Sequence, residues 1–118
     1  MIDSSSEAPA PTMYYDLYGA RDMSIDELQE AVGRVVNLSF RRRYNDDMGF
    51  YFKGELGDEV FRVERNFPND HNEEEVVEPE FANYPVLLLV SRTHRPDEIR
   101  DLLLEIPGLD HLRRDTRE

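Results

Sequence analysis

Five consecutive residues, Val86-Leu87-Leu88-Leu89-Val90, are all apolar. Successive side chains on a strand point to opposite faces, so a strand of this composition needs cover on both. That demand fixes much of the fold. One cover comes from two amphipathic segments. Ser24-Ile25-Asp26-Glu27 fits the S-x-x-E capping box, with Met23 and Leu28 at the hydrophobic-staple positions. Ile25, Leu28, Ala31, Val32 and Val35 then recur at three- and four-residue steps, which predicts a helix that Asn37 can end in a left-handed conformation. Arg95-Pro96-Asp97-Glu98 opens a second helix, with Pro in its first turn and acids where the dipole favours them. Ile99, Leu102, Leu103 and Ile106 form its buried stripe, and Pro107-Gly108 ends it. The other face needs a separate cover. Val76, Val77, Phe81 and Tyr84 lie just before the run and can fold back over it; a second protein is the other candidate.

The remaining apolar residues supply more strands. Tyr14-Tyr15-Asp16-Leu17-Tyr18 is aromatic-rich and stops at Gly19. From Leu38 the period becomes two, with Phe40, Arg42 and Tyr44 alternating with Ser39, Arg41 and Arg43. Phe50-Tyr51-Phe52-Lys53 and the alternating stretch 59–66 continue an antiparallel meander, and Leu109 and Leu112 can anchor a short last strand. Residues 1–12 are rich in Ser, Pro and Ala without periodicity, the composition of a disordered tail. Residues 13–114 therefore read as one α+β domain followed by a charged end, 115–118. The architecture expected is a two-layer sandwich: a mixed, mostly antiparallel sheet with two helices on one face, in the order β-α-β-β-β-loop-β-α-β.

The 118 residues suffice for one ordinary core, and the absence of cysteine removes disulfides, thiol nucleophiles, thiolate zinc sites and iron–sulfur clusters. A formal charge of −12 repels phosphate backbones and anionic lipid, so direct partnership with nucleic acid or membrane is not expected. No apolar run approaches membrane-spanning length, and the start lacks a signal peptide's basic and apolar parts, so the expected location is the cytoplasm.

Catalytic and cofactor patterns are missing as well. No G-x-S-x-G elbow, G-x-G-x-x-G turn or G-x-x-x-x-G-K loop occurs. Asp70, His71, Glu73, Glu74 and Glu75 offer metal-ligand types, but a calcium loop counted from Asp70 has Glu75 where glycine is required. His71, His94 and His111 lack H-E-x-x-H or H-x-H spacing. No cofactor, metal or catalytic residue is assigned, and an enzyme is not expected.

What remains is a binding surface. Residues 46–80 hold twelve acids and three bases, a net −9 within the total of −12. Asp46, Asp47, Glu55, Asp58, Glu59, Asp70, Glu73, Glu74, Glu75, Glu78 and Glu80 fall on expected turns and one long loop, where their field can steer a cationic protein into contact. Tyr14, Tyr18, Tyr44, Tyr51, Phe67, Phe81 and Tyr84 are interleaved with them as candidate aromatic anchors, Tyr51, Phe81 and Tyr84 foremost. The plainer alternative is that the acids only solubilise the chain and the aromatics fill its core. Arg41 and Arg43 share a strand face and are expected to pair with neighbouring carboxylates.

Tyr15-Asp16-Leu17-Tyr18-Gly19-Ala20-Arg21, the capped helix after it, Glu78-Pro79-Glu80-Phe81, Tyr84-Pro85-Val86-Leu87 and Ile106-Pro107-Gly108-Leu109 together give a pattern over 13–114. It resembles the small acidic immunity proteins of bacterial polymorphic-toxin and contact-dependent inhibition systems. The resemblance implies a compact cytoplasmic α+β binder without catalysis that blocks one cognate toxin domain, often a basic nuclease. That family has no common functional residue, so no site transfers by position. The alternative is a regulatory or accessory ligand-binding domain using a sheet face around Tyr15, Phe50 and Phe52.

Overall fold

A computed structural model describes residues 12–47, 49–67 and 76–117. The tail expected at 1–12 lies outside the described residues except for Thr12, as do Asp70, His71, Glu73, Glu74 and Glu75 of the long loop. The elements are β1 (Met13–Ala20), α1 (Ile25–Val36), β2 (Arg41–Asn45), β3 (Gly49–Leu56), β4 (Glu59–Arg65), a 3-10 turn (Pro79–Phe81), β5 (Val86–Thr93), α2 (Pro96–Leu103) and β6 (Leu109–Arg117). The α+β class and the element order are those expected. The strands form one sheet in the order β2-β3-β4-β5-β1-β6, with every ladder antiparallel. The expected parallel component is missing for a topological reason. β5 and β6, joined through α2, do run the same way, but β1 is inserted between them and pairs antiparallel with both.

The helix signals act as their chemistry dictates. The Ser24 hydroxyl accepts from the Glu27 amide at 3.1 Å, and the Glu27 carboxylate accepts from the Ser24 amide at 2.9 Å. Asn37 ends α1 at φ 58°. Pro96 occupies the first turn of α2, with Asp97 and Glu98 beside it. Both helices cover the same sheet face, where Leu28, Val32, Ile99 and Leu103 pack on Tyr18, Phe52, Phe61, Val63, Leu88 and Val90. Among the described residues, no helix is long and apolar enough to cross a membrane.

The opposite face of the buried strand is covered by the segment that precedes it. Phe81 and Tyr84 pack with Leu17, Leu87, Leu89 and Leu112 in a second apolar cluster. Tyr84 lies so close over β1 that a Cβ at Gly19 would sit 2.7 Å from its ring. Its hydroxyl donates to Asp110 at 2.8 Å and accepts from Arg21 at 3.2 Å. Asn66, fully buried, holds this cover in place. Its side-chain amide donates to the carbonyls of Phe81 and Tyr84, both at 2.9 Å, and its carbonyl accepts from the Glu78 amide at 2.8 Å. Its backbone bonds Pro85 and Val77, each at 2.8 Å. One residue thus satisfies the polar backbone of a non-repetitive segment that lies against the sheet.

The last strand is long rather than short, and the charged end belongs to it. β6 runs nine residues because its arginines are paired across the fold. Arg114 makes two 2.9 Å bonds to Asp16, which is almost fully buried, and a third to Asp97 on α2. Arg113 makes a two-pronged contact with Glu78 at 2.9 and 3.2 Å.

Replacing Asn66 with Ala removes four side-chain bonds, the weakest a 3.4 Å bond to the Glu78 carbonyl, and leaves buried carbonyls unmatched. A loss of about 2–4 kcal/mol in urea unfolding is expected, and a loss below about 1 kcal/mol would contradict the clamp.

Candidate binding surface

The site follows from where helix cover stops. α1 packs on β4 and β3, so β2 projects as an edge strand whose five residues are all exposed. In the β2–β3 hairpin Tyr44 stands opposite Phe50, and Arg42 opposite Phe52. The Tyr44 and Phe50 rings meet edge to face with centroids 5.1 Å apart, and the Arg42 guanidinium lies 4.6 Å above the Phe50 ring. Tyr44 is 62 % exposed and Phe50 45 %. Two large aromatics in edge-to-face contact and left in water form the kind of contiguous apolar exposure that marks interaction sites.

Beside them is a cavity of about 350 Å³ between the hairpin and the start of α1, with apolar walls from Ile25, Phe50, Phe52 and Val86, and with Arg42 and Arg65 also lining it. The hairpin turn is built by the Asn45 side chain, which accepts from the Asp47 amide at 2.7 Å, and by Gly49 at φ 73°. It leaves Asp46 and Asp47 exposed. Apolar anchors, a concave neighbour and a charged rim are therefore contiguous.

The expected acidic surface is divided. Asp46 and Asp47 sit where β3 begins; Glu55, Asp58 and Glu59 sit where it ends, about 25 Å away for an eight-residue strand. Glu55 and Asp58 are exposed, but Glu59 is committed internally. Its carboxylate accepts from Arg95 at 2.8 and 3.0 Å and from the Thr93 hydroxyl at 2.6 Å. Burial opposes the charge of Glu59, yet those bonds outweigh it and hold its pKa below the ordinary value. Glu78 is likewise spent on Arg113, and Tyr84 and Phe81 belong to the apolar cover. Glu80 is exposed, and Tyr51 is half-buried on β3 opposite Arg43. Tyr15 does not share a face with Phe50 and Phe52: it alternates with Leu17 on the side away from the helices, two strands beyond β4.

Tyr44 was among the candidate anchors and Phe50 on the alternative ligand face, but their pairing in the open was not legible, because alternation tells which face a residue takes, not whether that face is covered. Arg41 and Arg43 meet no carboxylate among the described residues, contrary to the pairing expected of them.

Two buried polar groups are structural. Asp16, Arg114, Asp97 and His111 join β1, β6 and α2, with His111 Nε2 3.3 Å from Asp16. Burial lowers the His111 pKa, helped by Arg114 and Arg100 and opposed by Asp16. Both Asp16 oxygens accept from Arg114, which fixes the carboxylate between β1 and β6. On the other face, Glu64 is buried and bonded to Arg62, but burial together with Glu78 raises its pKa above the ordinary value. Among the described residues, no three His, Asp or Glu side chains are placed to hold a metal ion. No protein-family model matches the chain, and no curated protein matches its sequence.

Because the folded chain holds the Glu64 proton more tightly than the unfolded chain, this group's contribution is full below the unfolded carboxylate value near ~4.3 and is lost as pH rises through the folded value. Glu64→Gln, which keeps an acceptor for Arg62, is expected to raise the melting temperature at about pH 7.5, with the gain shrinking towards about pH 4. A neutral-pH loss that persists into acid would contradict this reading.

Proposed function

We propose that this chain is a cytoplasmic, non-enzymatic immunity protein of a bacterial toxin system, and that it neutralises a cationic toxin domain of the nuclease kind by docking on it through the β2–β3 hairpin. The observation that carries this reading is the exposed Tyr44–Phe50 pair beside an apolar cavity, on an edge that no helix covers. Aromatic anchors next to a pocket are where interface energy concentrates, while the surrounding polar rim sets orientation. Asp46 and Asp47 at the hairpin tip, within a chain of net charge −12, favour a cationic partner and fast encounter. The sequence resemblance to immunity proteins points the same way.

The cavity also favours a second reading, an accessory domain that takes a small ligand between Phe52 and Ile25. The two separate by experiment. Under the first, expression of this chain restores growth to cells producing the toxin encoded beside its gene. Tyr44→Ser with Phe50→Ser abolishes rescue and weakens binding about 100-fold or more, with little change in melting temperature. Asp46→Asn with Asp47→Asn slows association severalfold and flattens its salt dependence. Failure of the wild-type chain to protect, or full protection by the aromatic double variant, contradicts the hairpin assignment.

A further inference from the structure

The hairpin has a second face, and its chemistry is opposite to that of the tip. Register places Arg41 of β2 directly opposite Lys53 of β3, and Lys53 directly opposite Arg62 of β4. Phe52, Phe61 and Val63 fill the core on the helix side, so their alternating neighbours Lys53 and Arg62 lie on the open side, with Arg41 beside Lys53. Arg43 follows two residues after Arg41 on the same side. Three cations thus form one row across three adjacent strands, and a fourth flanks it. Side chains directly opposite in a sheet have Cβ atoms about 5 Å apart, and like charges there are destabilising.

Neutralisation is incomplete. Only Arg62 of the four has a carboxylate partner among the described residues, Glu64, in a chain with 26 acids. Ser39, Arg41, Arg43, Lys53, Gly54 and Glu55 line a depression of about 490 Å³ that takes in three of the four cations, with Arg62 next to Lys53 outside its lining.

We infer that the row Arg41–Lys53–Arg62, with Arg43, is a binding site for a compact polyanion carrying adjacent phosphate groups, on the hairpin face opposite the Tyr44–Phe50 pair. Guanidinium forks pair with phosphate oxygens in two-pronged geometry, and a lysine adds a point charge between them. The size of the anion follows from the field around the patch. Exposed charges are screened beyond about 8–10 Å, so a small ligand is held by the row alone. A long nucleic acid would extend past the patch into the field of a −12 protein. Glu55 at the rim further limits how much negative charge the depression accepts.

The test uses the whole chain and inorganic tripolyphosphate in titration calorimetry. One saturable site is expected, with affinity that falls as salt rises and drops at least about tenfold in Arg41→Ala with Lys53→Ala. The same variant is expected to melt no lower than wild type, because it relieves like-charge repulsion. No binding of tripolyphosphate, or binding that the variant leaves intact, overturns the proposal. Tighter binding of a single-stranded oligonucleotide, or of an oligoglutamate peptide, also overturns it in favour of an extended partner. Toxin neutralisation rests on the other hairpin face and is expected to survive this variant, so the two assignments fail separately.

Discussion

Asn66 holds the part of the fold that hydrogen-bonded ladders cannot. β5 is apolar on both sides, and two helices can cover only one of them. Its other side is closed by a non-repetitive segment whose carbonyls and amides would lie against apolar surface without partners. A single buried asparagine, offering both donor and acceptor, takes up the carbonyls of Phe81 and Tyr84 and the amide of Glu78. With that segment fixed, the Tyr84 ring can rest on Gly19, and Glu78 is placed to hold Arg113 on β6. The second apolar cluster and the outer edge of the sheet both depend on this geometry.

The same economy of cover explains where the surface is left open. Helices and clamped segment are centred on β4, β5 and β1, with α1 reaching β3, so β2 and the β2–β3 turn extend beyond both. The hairpin's two faces acquire different characters from strict alternation: Arg42, Tyr44, Phe50 and Phe52 on the helix side, and Arg41, Arg43, Tyr51 and Lys53 on the other. The exposed rings thus stand on a regular ladder rather than on a loop, which keeps them in fixed relation to the cavity beside them.

Much of this was legible wherever the signal was local. Ser24 with Glu27, Asn37 and Pro96 mark helix ends through bonds within a few residues, and the all-apolar run at 86–90 demanded the second cover that Phe81 and Tyr84 provide. Long-range polar contacts were not legible. Nothing local links Asp16 to Arg114, 98 residues away, so the last strand read as short and residues 115–118 only as a charged end, although 115–117 complete the outer strand. Asn66 looked like the last residue of a strand because its bonds reach 12 to 18 residues ahead. The acidic stretch read as one surface because sequence distance conceals that consecutive hairpin turns fall at opposite ends of a sheet. Glu59 and Glu78 were visible as acids, but their arginine partners were not.

The central claim is that the uncovered hairpin, and not the acidic turns as a group, is the docking element. Amide hydrogen exchange, measured on the chain alone and bound to the toxin domain proposed as its partner, tests this directly. The account predicts new protection across residues 42–52 and the start of α1, with the β3–β4 turn at Gly57 and Asp58 and the α2–β6 edge unchanged. Protection confined to that turn, to α2 or to β6, with the hairpin still exchanging as in the free chain, would contradict it.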